Sequence, residues 1–256
     1  MRALNAWLGA VYGFLYLPIA ILMVLSFNRS GLPTAWGGFT FSWYGELAAN
    51  PKIMGAAWNS LVVAFWATAI STALGTLLAL GVERARPSAS REALLFAPMI
   101  IPDIVLAIAL LSFFTLTKFT LGLHSIVVAH VVFNIAFVCA VVRARLKSYD
   151  WSLDEASRDL GAGAIATFLR ITLPLIGPSV VAAALLAFTL SIDEFIIAYF
   201  TAGAGQSSTT LPMQIYAMIR FGVTPEINAM ASIVLGVSFI LVLAAQRLNS
   251  GRIPGA

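Results

Sequence analysis

The chain has 256 residues, 60% hydrophobic and only 10% charged, against about 25% charged in ordinary soluble domains. A water-soluble domain of this length has nowhere to hide so much apolar surface, so the composition excludes one and makes a lipid bilayer the solvent. The net charge of +4 is gathered in clusters between long uncharged stretches, which argues against nucleic acid as a partner; the single Cys139 excludes a disulfide framework and a cysteine-based metal site.

After Arg2, residues 3–28 carry no charge and predict a first span at about 8–27. This run is longer than the apolar stretch of a signal peptide, and no small-x-small site follows it, so it reads as a retained span. Trp36, Trp43, Tyr44 and Trp58 bracket the next polar stretch as an interfacial belt would. Further spans are predicted at about 58–82, 94–117, 122–142, 176–200 and 227–246. All are helices, because only internally closed backbone hydrogen bonding is tolerated in lipid. Small residues recur every fourth position at Ser71, Gly75 and Ala79 in the second span and at Ser179, Ala183 and Ala187 in the fifth. Such rows predict close helix–helix contact.

Orientation follows from the Lys and Arg residues. With both termini inside, Arg2, Arg84, Arg86, Arg91, Arg143, Arg145, Lys147, Arg158, Arg170, Arg247 and Arg252 are cytoplasmic. Only Arg29, Lys52, Lys118 and Arg220 are then outside, a strong positive-inside bias. The expectation is one transmembrane domain over residues 1–256, all-α, with six helices and both ends cytoplasmic.

The inner connection, residues 143–175, is charged and punctuated by glycine. Ser152 and Glu155 have the spacing of a capping box that starts a helix at Leu153. Gly161 is placed to end that helix in a left-handed conformation. A second short helix is expected to carry Ile165, Phe168 and Leu169 on one face, with Pro174 and Pro178 leading into the fifth span. This amphipathic helix–turn–helix suits a groove on a partner protein; the competing reading is a loop resting on lipid headgroups.

Carboxylates at membrane depth are costly and are functional candidates by default. Asp103 follows Pro98 and Pro102, where the third span is expected to kink, about 14 Å from its inner edge at 1.5 Å per residue. Asp193 and Glu194 lie toward the outer half of the fifth span. Neither span contains Lys or Arg, so the three carboxylates outline a path for a cation. The competing reading makes Asp103 a cap of the half-helix after Pro102, and the pair a mark of the fifth span's outer end. His124 and His130 are six apart, about 240° around a helix, and share no metal site.

From Glu155, Ala156, Gly161, Ile171, Leu173 and Pro174 the segment spells E-A-A-x₃-G-x₉-I-x-L-P, with Ser157 for the second Ala. The pattern resembles the loop by which membrane subunits of ATP-binding-cassette (ABC) importers dock on their ATPase. WYGELAAN (43–50), Asn59-Ser60-Leu61, PDIVLAIA (102–109), SIDEF (191–195) and LPMQIYAMIRFGVTPEINA (211–229) are similar to the polyamine branch of these permeases, with Glu194 where a second Asp is frequent. The resemblance implies a type I importer permease fold and ATPase-coupling roles for Glu155, Ala156, Gly161, Ile171, Leu173 and Pro174. It implies Asp103, Asp193 and Glu194 as transient partners of substrate ammonium groups, with Tyr199 and Tyr216 lining the path. It further implies four partners: an ABC ATPase dimer, a second homologous permease, an extracytoplasmic polyamine-binding protein and the bacterial inner membrane. No cofactor belongs to this chain, since ATP and Mg would be held by the ATPase; a G-x₄-G-K-[ST] loop does not occur in the sequence.

Three rivals remain. The same machinery could carry another solute, such as ferric iron, thiamine or an amino-acid derivative. A membrane enzyme would need H-E-x-x-H, G-x-S-x-G or a comparable motif, which the sequence lacks. A secondary transporter would need more spans and inverted repeats.

Overall fold

The computed structural model describes residues 2–31, 35–85, 88–205, 207–220 and 222–250. Arg86 and Arg252, two of the residues used to orient the chain, lie outside them. Among the described residues the architecture is all-α, with only an isolated bridge between Asn28 and Phe39.

Helix α1 (Arg2–Leu25) leads through that bridge to the short α2 (Ser42–Ala49) and the long α3 (Pro51–Arg84). Helix α3 starts where it does because Pro51 is preset for a first helical turn and the Asn50 side chain accepts from the Lys52 amide at 3.1 Å. Helices α4 (Ala89–Ile100) and α5 (Asp103–Leu116) meet at an elbow of 104°. The break expected around Pro98 and Pro102 is therefore a sharp corner at Ile101–Pro102, since Pro102 holds the chain extended there.

Helix α6 (Leu123–Leu146) is apolar all round and lies at the centre, with 61% of its most apolar window buried, whereas the corresponding window of α1 has no buried residue. A helix in the middle of a bundle needs small neighbours. Both predicted rows of small residues are buried: Ser71, Gly75 and Ala79 on α3, and Ser179, Ala183 and Ala187 on α9. A Cβ on Gly75 would lie 2.7 Å from the Val138 side chain, so only glycine allows α3 and α6 to approach this closely. Ala79, Val138, Val142, Ile176, Ala183 and Ala187 form one continuous core between α3, α6 and α9.

Helices α7 (Ser152–Asp159) and α8 (Ala164–Thr167) follow. Helix α8 runs on through a π-helical turn (Phe168–Thr172) into α9 (Leu173–Asp193), so the expected second short helix is the first part of one long rod, Ala164–Asp193. Pro174 does not break it, because it directly follows the π turn, whose closing bond runs from the Leu173 amide to the Phe168 carbonyl, and this irregular turn takes up the donor that Pro174 lacks. After a break at Glu194–Phe195 come α10 (Ile196–Thr201), α11 (Leu211–Ile219) and α12 (Pro225–Ser250). Helix α1, α3, α6 and the Ala164–Asp193 rod are each long and apolar enough to cross a membrane. The α4–α5 elbow makes a fifth candidate if taken as one span, and α12 is apolar over Pro225–Ile240.

The aromatic belt is only partly as expected. Trp36 and Trp58 are exposed, but Trp43 and Tyr44 turn inward. The Trp43 indole donates to the Asn28 carbonyl at 2.8 Å, and the Tyr44 hydroxyl lies 2.8 Å from Ser26 Oγ. A polar ring edge with a protein partner gains nothing by facing headgroups.

Candidate functional site

The first group of candidates surrounds the break after α9. Asp193 ends that helix and is exposed, with Ser238 Oγ of α12 3.4 Å away. Glu194 is half-buried, and its Oε1 accepts from the Ile197 amide at 2.8 Å, satisfying a free donor at the start of α10. Glu194 thus caps α10, a role not read from the sequence. Asp103 is the first residue of α5, whose Leu106 and Ala107 pack in one cluster with Ile196 and Ile197 of α10, so the elbow stands on the side of the bundle where Glu194 lies. Asp103 is not a side-chain cap; the residue ahead of the helix is Pro102, and no capping bond is made. Among the described residues none of the three carboxylates has a Lys or Arg within ion-pair distance, unlike the acidic groups at the other end of the bundle.

Tyr199 of α10 and Tyr216 of α11 are both about half exposed, with centroids 6.2 Å apart. Phe195 completes the cluster at 5.4 Å from Tyr199 and 4.7 Å from Tyr216. Sequence reasoning missed Phe195. Its place beside Glu194 was visible, but its contact with Tyr216 depends on how α11 folds back. The patch therefore combines uncompensated carboxylates with aromatic faces, and such a surface attracts an organic cation by charge and by cation–π contact. Among the described residues no group of three His, Cys, Asp or Glu is arranged to hold a metal.

The second group is the segment 152–174 at the far end of α9. Helix α7 does not begin with the predicted capping box: the Asp150 carboxylate accepts from the Ser152 amide at 3.0 Å, and Ser152 caps nothing. Asp beats Ser here because its charged oxygen lies two residues upstream, in an Asx turn. Donation by Ser152 holds the Asp150 carboxyl below its ordinary range. The other end is as the sequence predicts. Gly161 has φ +86°, its amide donates to Arg158 O at 2.8 Å, and Ala162 donates to Ser157 O at 3.1 Å. This is a Schellman motif.

Glu155, Ala156, Gly161 and Pro174 are exposed, while Ile171 and Leu173 are half-buried. Around them Leu160, Ile165 and Leu169 are 90%, 77% and 54% exposed, an apolar ridge flanked by Glu155, Arg158 and Arg170. Phe168, predicted on the same face, instead packs against the α3–α6–α9 core.

Asp154 was not singled out from the sequence. It is buried and bound by three groups: Arg84 Nη2 at 2.6 Å, the Tyr149 hydroxyl at 2.7 Å and Thr172 Oγ1 at 3.0 Å. Burial, then the bond to Asp154, pushes the Tyr149 hydroxyl up to about 12. The Arg84 guanidinium also lies 5.1 Å from the Trp151 ring.

Comparison with known proteins places these surfaces in a lineage. Residues 71–253 match the family described as binding-protein-dependent transport system inner membrane component. The chain is 40% identical to the spermidine/putrescine transport system permease protein PotC of Escherichia coli K12, over 98% of this chain and 95% of that protein. It is 39% identical to the putrescine transport system permease protein PotI of the same organism, over 94% and 90%. In fold it is similar to a chain of a bacterial ABC transporter that imports the acidic polysaccharide alginate. The TM-score is 0.75 at 16% identity, covering 98% of this chain and 96% of that one.

Proposed function

The chain belongs to the family of binding-protein-dependent transport inner membrane components, and from that premise we propose that it is the membrane-spanning subunit of an ATP-driven importer of polyamines. Full-length likeness to two polyamine permeases supports the substrate class. The observation that carries it is local: among the described residues Asp103, Asp193 and Glu194 have no Lys or Arg within ion-pair distance, and the Asp193–Glu194 pair runs directly into Phe195, whose ring packs with those of Tyr199 and Tyr216. A polyamine has ammonium groups separated by methylenes, so separated carboxylates each take one ammonium while the rings face the carbon chain. Such contacts are weak enough to release what they hold, as conduction requires.

In this reading the chain crosses the bacterial inner membrane six times with both ends in the cytoplasm, and 152–174 docks on an ABC ATPase dimer that binds ATP and Mg. Glu155, Ala156 and Gly161 are the contact face, with Ile171, Leu173 and Pro174 at its junction with α9. The exposed Leu160, Ile165 and Leu169 supply the apolar surface that a partner's groove would cover. A second homologous permease completes the pore, and an extracytoplasmic binding protein delivers the polyamine.

The test is uptake of labelled putrescine and spermidine by cells with and without the gene, under unlabelled competitors. Loss of saturable uptake on deletion is expected. Unchanged polyamine uptake, with the ATPase still co-purifying, would leave the importer class and transfer the substrate to ferric iron, thiamine or an amino-acid derivative.

A further inference from the structure

A docking segment moves a transmembrane bundle only if it is fastened to it. The backbone provides one fastening, since α8 runs through the π turn into α9. That route reaches Asp193 and Glu194 but not the α4–α5 elbow, which carries Asp103. A π turn is also a local departure from regular helical bonding, and so a soft place to transmit a push.

Side chains provide a second fastening. Asp154 of α7 takes Arg84 from the end of α3, Tyr149 from the turn after α6 and Thr172 from the π turn itself. Next to Arg84, Glu83 accepts from Arg143 of α6 at 2.7 Å, and Arg143 reaches on to Glu92 of α4 at 3.1 Å. Two consecutive residues of α3 therefore face two clusters, one holding the docking helix and the other the first arm of the elbow. The Asp154 carboxylate is buried, so releasing any partner leaves a charge poorly compensated and the cluster resists loosening.

We propose that Asp154 is a positioning residue for transport: through Arg84, and through Glu83, Arg143 and Glu92 beside it, Asp154 fastens the docking helix to α3, α6 and α4, so that displacement of that helix reaches the elbow bearing Asp103. The inference rests on the reading of 152–174 as the ATPase-docking segment. It adds that docking alone does not couple. The contact to α3 is also needed.

The experiment uses the whole complex, reconstituted in vesicles with its ATPase, second permease and binding protein, and reads labelled putrescine taken up per ATP hydrolysed. Asp154→Asn and Arg84→Met are each expected to lower this ratio about fivefold or more, the low end of measured coupling effects, while Arg84→Lys retains most of it. If Asp154→Asn does not assemble, Arg84→Met decides, because Arg84 keeps 43% of its side chain in solvent and is not part of the apolar core between α3, α6 and α9. An unchanged ratio in Arg84→Met, or uptake and hydrolysis falling in proportion, overturns the proposal. Glu155→Ala, run in parallel, separates the two readings. If it lowers the ratio and Arg84→Met does not, docking stands and the fastening falls; if neither variant has an effect, both fall.

Discussion

Asp154, bonded to Thr172 just ahead of α9, and Glu194, just after it, stand at opposite ends of a 21-residue helix about 31 Å long, and the chain treats them oppositely. Asp154 receives an arginine, a tyrosine and a threonine from its own chain and is sealed from solvent. Glu194 is met by the backbone amide of Ile197 and, like Asp103 and Asp193, has no basic partner among the described residues. A carboxylate whose charge is compensated internally serves the architecture. In the proposed function, one left uncompensated is the place that a cation from outside would take. The same contrast holds for apolar groups, since Phe168 is drawn into the core whereas Leu160 and Ile165 remain exposed.

The sharpest way to break this contrast is to neutralise the uncompensated end. Glu194→Gln keeps the oxygen that accepts from Ile197 but removes the charge, so the cap survives and the cation partner does not. Polyamine uptake should fall about tenfold or more, as for a lost hydrogen bond to a charged group, with complex yield unchanged in detergent. Uptake at the wild-type level would return Glu194 to capping alone. At the compensated end the effect should appear as stability. Asp154→Asn is expected to cost on the order of 2 kcal/mol, below the range for fully buried pairs because Arg84 is partly solvated. A thermal melt of the purified chain that does not move would refute the buried network.

Smaller effects sharpen the contrast. Phe195→Leu retains apolar volume but removes a π face, and should raise the half-saturating polyamine concentration about threefold, in line with exposed cation–π contacts. A fall in maximal rate alone would place Phe195 in packing. The smallest effect concerns pH. The Tyr149 hydroxyl is raised from its ordinary value of 10.0 to about 12, by burial first and then by its bond to Asp154. Its folded value is the higher one, so its contribution to stability is complete below pH 10.0 and lost as pH rises through about 12. Difference absorbance between the wild type and Tyr149→Phe should show the phenol still protonated just above 10.0; ionisation at the ordinary value would deny the contact with Asp154.

The sequence by itself determined the solvent, the all-α class, the break near Pro102 and the left-handed turn at Gly161. Each depends on composition, hydrophobic run length or the sterics of one or two residues, which are properties of neighbours in the chain. It also marked Asp103, Asp193 and Glu194, because charges in long apolar stretches stand out without any knowledge of packing. Tertiary structure alone decided how each charge is met. Arg84 lies seventy residues from Asp154 and Arg143 sixty from Glu83, and no periodicity encodes such meetings. The capping of α7 by Asp150, the inward turn of Trp43 and Tyr44, and the joining of Phe195 to Tyr216 were likewise set by which polar or aromatic group stood nearest in space. Local sterics act within a turn of chain, whereas ion pairs and ring contacts act over a few ångströms of space, and only the folded bundle brings distant residues within that reach.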